Sequence, residues 1–102
     1  MNYKFFIKPQ AAQEIEEATE YYENQKQGLG MDFLEDFEHI SHLLVRNPMM
    51  YMRIFWHFRR ALMSRFPYAI YYTVHEEAQE IEVIAVIHQN QDPDIIRKKL
   101  RL

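Results

Sequence analysis

The 102-residue sequence contains no cysteine, which excludes disulfides and thiolate metal sites and gives no sign of an oxidising compartment. Glycine is almost as scarce: the only two, Gly28 and Gly30, sit together. There is no internal repeat and no low-complexity tract. No stretch approaches the roughly 20 apolar residues that span a bilayer. The opening segment, Met1-Asn2-Tyr3-Lys4-Phe5-Phe6-Ile7-Lys8, has too short an apolar run for a signal peptide, and charge follows at once. The expectation is a soluble cytoplasmic protein with no membrane partner. A basic surplus is also missing: the formal net charge is −3, which argues against bulk nucleic-acid binding.

What is present suffices for a compact core. Apolar residues make up 48 % of the chain, aromatics 15 % and charged residues 26 %, which are ordinary globular proportions. The length suits one domain over residues 1–102. Charge is unevenly spread. Residues 1–45 carry three lysines against nine acids, and residues 46–102 carry nine bases against six acids. The two portions sum to −6 and +3, consistent either with a polarised surface or with helices that carry solvated carboxylates.

Residues 2–7 are dense in β-formers and predict a strand. Pro9 suits the first turn of a helix. Ala11, Ile15, Ala18 and Tyr22 then recur at helical spacing, as far as Gln27-Gly28. After a Gly28-Leu29-Gly30 connection, Phe33, Phe37, Ile40 and Leu44 predict a second helix from about Asp32 to Arg46. Asn47-Pro48 ends it, because the residue before proline avoids helical backbone angles. So short a link predicts an antiparallel helical hairpin. Ile54-Phe55-Trp56 reads as a brief strand or bend. Phe58–Phe66, Ala69–Val74 and Glu80–Ile87 read as three strands of an antiparallel meander. In that reading Arg59 and Arg65 share one face of the first strand, and Arg60 sits on the other with Leu62. Asp92-Pro93-Asp94 opens a short basic tail, open to a helical reading, through Arg97, Lys98, Lys99 and Arg101. The predicted class is α+β, in the order β-α-α-β-β-β, with a helical hairpin on one face of a small, mainly antiparallel sheet. The opposite face is expected to be less covered and more basic.

The run from Arg59 to Tyr72, Arg-Arg-Ala-Leu-Met-Ser-Arg-Phe-Pro-Tyr-Ala-Ile-Tyr-Tyr, closely resembles the central signature of the ParE branch of the RelE/ParE toxin superfamily. Two further pieces fit in order and spacing. Tyr21-Tyr22 with Gly28-Leu29-Gly30 and Phe33 resembles the family's hairpin, and Val83–His88 with Asp92-Pro93 resembles its last strand. The resemblance implies the toxin of a bacterial type II toxin–antitoxin pair, of the kind tied to plasmid stabilisation. It implies no cofactor, a cognate antitoxin as partner, and a dimer or a heterotetramer with that antitoxin. Fold alone does not choose among the family's activities. One is ParE-like inhibition of DNA gyrase, which needs binding and no catalytic residue. Another is RelE-like cleavage of mRNA at the ribosome. A third is a non-toxic homologue that only binds its antitoxin.

Metal-free RNA cleavage needs a proton acceptor for the 2′-hydroxyl, cations for the phosphorane and a proton for the leaving oxygen. The candidates for that chemistry are Arg59, Arg60, Arg65 and His88, with Arg53 and His57 nearby in sequence. The departures are that no tyrosine follows Tyr72, and that Gln91 stands where related sequences commonly carry arginine. An amide there can bind a phosphate but cannot neutralise it. His39 and His42 lie one helical turn apart, with no third ligand evident, so no metal site is expected. For an acidic antitoxin the candidate contacts are Arg59, Arg65, Arg97, Lys98 and Lys99.

Overall fold

The computed structural model describes residues 3–101. Its elements are β1 (Lys4–Ile7), α1 (Pro9–Gln25), α2 (Leu29–Arg46), β2 (Arg53–Phe55), β3 (Phe58–Leu62), β4 (Tyr68–His75), β5 (Glu80–His88) and α3 (Pro93–Leu100). The α+β class and the hairpin-on-sheet layout agree with the sequence reading. Asn2, the first residue of the expected opening strand, lies outside the described residues. One five-stranded sheet has the order β1-β5-β4-β3-β2. β1 pairs with β5 in parallel, and every other neighbouring pair is antiparallel.

Pro9 opens α1, and Ala11, Ile15 and Ala18 form its buried stripe. Gly28 links the two helices with φ +91, a backbone angle that glycine adopts without steric cost. The second helix starts earlier than expected, at Leu29, so Gly30 lies in its first turn. It lies there because α1 crosses close by: a Cβ at Gly30 would sit 2.8 Å from the Thr19 carbonyl oxygen. The Glu23 carboxylate ties this corner together, accepting from the backbone N–H of Gly28 at 3.1 Å and of Gly30 at 3.0 Å.

The sheet has a core on each face. On the hairpin side, Phe33, Phe37, Ile40 and Leu44 of α2 pack with Ile15 and Ala18 against Ala61, Ile70, Tyr72, Ile81, Val83 and Val86. On the other side a smaller cluster joins Phe58, Ala69, Tyr71, Ala85 and Ile87 to Leu100 of α3, with Ile96 against it. The second face is thus partly roofed, which corrects the expectation of a bare platform. The tail forms a true helix because Asp92 caps it, accepting from the Asp94 N–H at 2.8 Å, and Pro93 takes its first turn.

The first meander strand is also shorter than expected. It stops at Leu62, and Met63 and Phe66 turn into the hairpin-side core. The cause is Asp36, a buried carboxylate on α2. It accepts from the backbone N–H groups of Ser64 at 3.2 Å, Arg65 at 2.8 Å and Phe66 at 3.1 Å. Arg65 therefore sits in a loop and shares no strand face with Arg59. It pairs instead with Asp32 at 3.6 Å.

Candidate functional site

The basic residues singled out in the sequence are held by different elements. Arg59 lies opposite Tyr72 on the hairpin side of the sheet. Its guanidinium donates to the carbonyls of Tyr51 at 2.6 Å and Met49 at 3.4 Å. Beside it, the Tyr72 hydroxyl donates to the Pro48 carbonyl at 2.7 Å. Burial pushes the Tyr72 phenol well above its ordinary value, against a smaller opposing pull from Arg59. Together these two side chains pin the chain between α2 and β2 onto the sheet. Arg60 lies opposite Tyr71, on the face that α3 partly roofs, and its side chain is exposed. Of the α3 bases, Lys99 donates to Glu14 Oε2 at 2.6 Å, while Arg97 and Lys98 are exposed.

His88 ends β5 opposite Tyr68, with the two rings 5.3 Å apart. Its Nδ1 accepts from the Asn90 N–H at 3.0 Å, so the imidazole proton belongs on Nε2 while that bond is made. His88 and Gln91 line a cleft of about 240 Å³ between α1 and the end of β5, along with Tyr21, Tyr68 and Lys99. Arg59, Arg60, Arg65 and His88 thus occupy a pinned loop contact, the α3-side face, the β3–β4 loop and the α1-side cleft. The fold does not gather them around one phosphate-sized space.

The sequence reading did not single out Glu14 and Asp36. Glu14 Oε1 accepts from the Val86 N–H at 2.9 Å, and its other oxygen holds Lys99. β1 ends at Ile7, opposite Val83, so β5 runs on past its parallel partner and a side chain supplies the next acceptor. A signal for both residues was available. Glu14 falls on the Ala11–Ala18 stripe and Asp36 on the Phe33–Ile40 stripe, three or four residues from apolar neighbours that face the core.

A second cleft, of about 530 Å³, opens on the α3 side, lined by Lys8, His57, Phe58, Thr73, His75, Glu82, Leu100 and Arg101 among others. Within it Glu82 bonds His75 Nε2 at 2.6 Å and pairs with Lys8 at 3.3 Å. Burial pushes the Glu82 carboxyl up, but the hydrogen bonds and charges of Lys8 and His75 outweigh it. The group is held below its ordinary value of 4.5.

Fold and surface together define a small α+β domain in which Arg59 and Lys99 hold the domain's own backbone and helices while Arg60, Arg97 and Lys98 stand exposed. Among the described residues no helix is long and apolar enough to cross a membrane. Residues 5–93 match the family of ParE toxins of type II toxin–antitoxin systems, and the chain belongs to that family. Two solved structures share the fold. A chain of the chromosomal ParDE toxin–antitoxin system from P. aeruginosa is 13 % identical, with TM-score 0.73, over 84 % of this chain and 95 % of that one. The isolated E. coli RelE toxin is 16 % identical, with TM-score 0.65, over 97 % of each chain. No curated protein matches in sequence.

Proposed function

We propose that this chain acts as a binding toxin that inhibits DNA gyrase and is neutralised by a cognate antitoxin. The observation that supports binding over catalysis is the dispersal of Arg59, Arg60, Arg65 and His88. Phosphodiester cleavage needs base, cation and acid around one phosphate. Here the Arg59 guanidinium is spent on the Tyr51 carbonyl, that of Arg65 pairs at the surface with Asp32, and His88 stands on the α1 side. Membership of the ParE toxin family supports gyrase as the target. A surface of about 800 Å² per partner suffices for a stable complex without any chemistry, and the antitoxin would compete by covering the same protein.

The test is induction of the protein in a bacterial host, followed by two assays on the same culture. Inhibited supercoiling by purified gyrase and DNA breaks in cells are expected, with ribosome-bound transcripts intact. Transcript cleavage with gyrase unaffected would replace this reading with the ribosome-dependent nuclease. Unimpaired growth would leave only an antitoxin-binding homologue.

A further inference from the structure

The ribbon of β2 and β3 ends in a feature that folding does not explain. Phe55 lies opposite Phe58, so Trp56 and His57 form a two-residue turn. Trp56 has φ +43 and is 77 % exposed. Such a turn position normally holds glycine, asparagine or aspartate, since a Cβ there meets the backbone. The chain thus places its one tryptophan where the backbone disfavours it and the core gains little from it. Strain of this kind gathers at sites of function. The neighbouring chain repeats the pattern: Met52 is 78 % exposed and Met50 49 %.

Along the ribbon itself charge has one sign, the nearest cleft-sharing acid being Glu82 of β5. From His39 to His75 the chain carries five arginines and no aspartate or glutamate. Arg53 lies within β2 opposite Arg59, and the Arg60 N–H donates to the Met52 carbonyl at 3.4 Å, so the two flank the ribbon from its opposite faces. Among the described residues neither is ion-paired, and nor is Arg46 at the end of α2. Tryptophan, methionine and arginine are the residues enriched where proteins meet.

We propose that the β2–β3 tip is a docking site for an acidic segment of a partner protein, with Trp56 as its apolar anchor and Arg53 and Arg60 as its charge contacts. A protein fits better than a nucleic acid, because exposed methionines offer nothing to a phosphate backbone. The site is independent of which enzyme the toxin inhibits.

Trp56 reports on its own surroundings, being the only tryptophan. A short peptide of alternating Glu and Val should shift its emission to the blue, saturably and less at high salt. The matched Lys–Val peptide and oligo(dT) should leave it unchanged. Arg53→Glu with Arg60→Glu should weaken the Glu–Val peptide at least about tenfold, a loss of about 1.4 kcal/mol. Trp56→Asn, followed by anisotropy of a labelled peptide, should lose binding by a similar factor while the melting temperature holds or rises. No shift with Glu–Val, or an equal shift with Lys–Val, overturns the proposal. So does a shift with oligo(dT) alone, which marks a single-stranded nucleic-acid surface. A fall in melting temperature for Trp56→Asn would make Trp56 structural and overturn its role as anchor.

Discussion

Asp36 holds more of the fold than its size suggests. Three backbone N–H groups of the β3–β4 loop have it as acceptor, and the residue is 3 % exposed. Asp36→Ala should cost about 2 kcal/mol, because three backbone donors of the loop, that of Phe66 buried, lose their acceptor. Asp36→Asn, which keeps one oxygen, should cost less; urea midpoints read the difference. Glu82 yields a prediction in pH. Its folded carboxyl titrates below 4.5, so its contribution is present above that value and is lost as pH falls through the lower folded one. The stability gap between the natural protein and Glu82→Gln should therefore narrow from neutral pH toward acid. A gap that stays constant would mean the Lys8 and His75 contacts do not stabilise the fold. Neither carboxylate looks special in the sequence, where both stand among many solvated acids. A charge count cannot tell them apart, and only position along the apolar stripe marks Asp36.

Among the elements, the hairpin was the most legible, because two runs of 3.6-residue periodicity meet at glycine. The sequence could not show that Gly30 is helical and serves a close crossing. Gly30→Ala should destabilise by about 1–3 kcal/mol despite alanine's better helix propensity, since the obstructing atom is a backbone oxygen of α1. Chemical unfolding of the variant checks this, and a stabilised variant would show that the helices can part cheaply. β2 was legible only as a brief strand or bend at Ile54-Phe55-Trp56. It has three residues and a register shift against β3, too short and irregular for alternation to register. β3 was read too long for the opposite reason: its apolar spacing continues past Leu62 into residues that Asp36 bends away. α3 read as a basic tail because its apolar residues are few, yet Leu100 is 3 % exposed against the second core. Leu100→Ala should cost about 2–4 kcal/mol and raise binding of a hydrophobic dye.

Across the whole molecule, the acidic and basic portions of the chain take separate places: the hairpin carries most of the carboxylates and the β2–β3 ribbon none. The candidate site was legible as a set of residues and not as a constellation. Arg60 keeps its strand position, while Arg59 is drawn off by carbonyls of the preceding loop and Arg65 by a carboxylate on α2 that sits far away in sequence. Topology carries a last consequence. Among the described residues β1, from Lys4, has its single strand neighbour in β5, which opens at Glu80. Contacts so distant along the chain form late. Nascent chains halted ahead of Glu80 should thus remain open to protease, whereas chains carried well beyond His88 should resist it. A toxin wired in this order stays unassembled, and so unarmed, through most of its own synthesis.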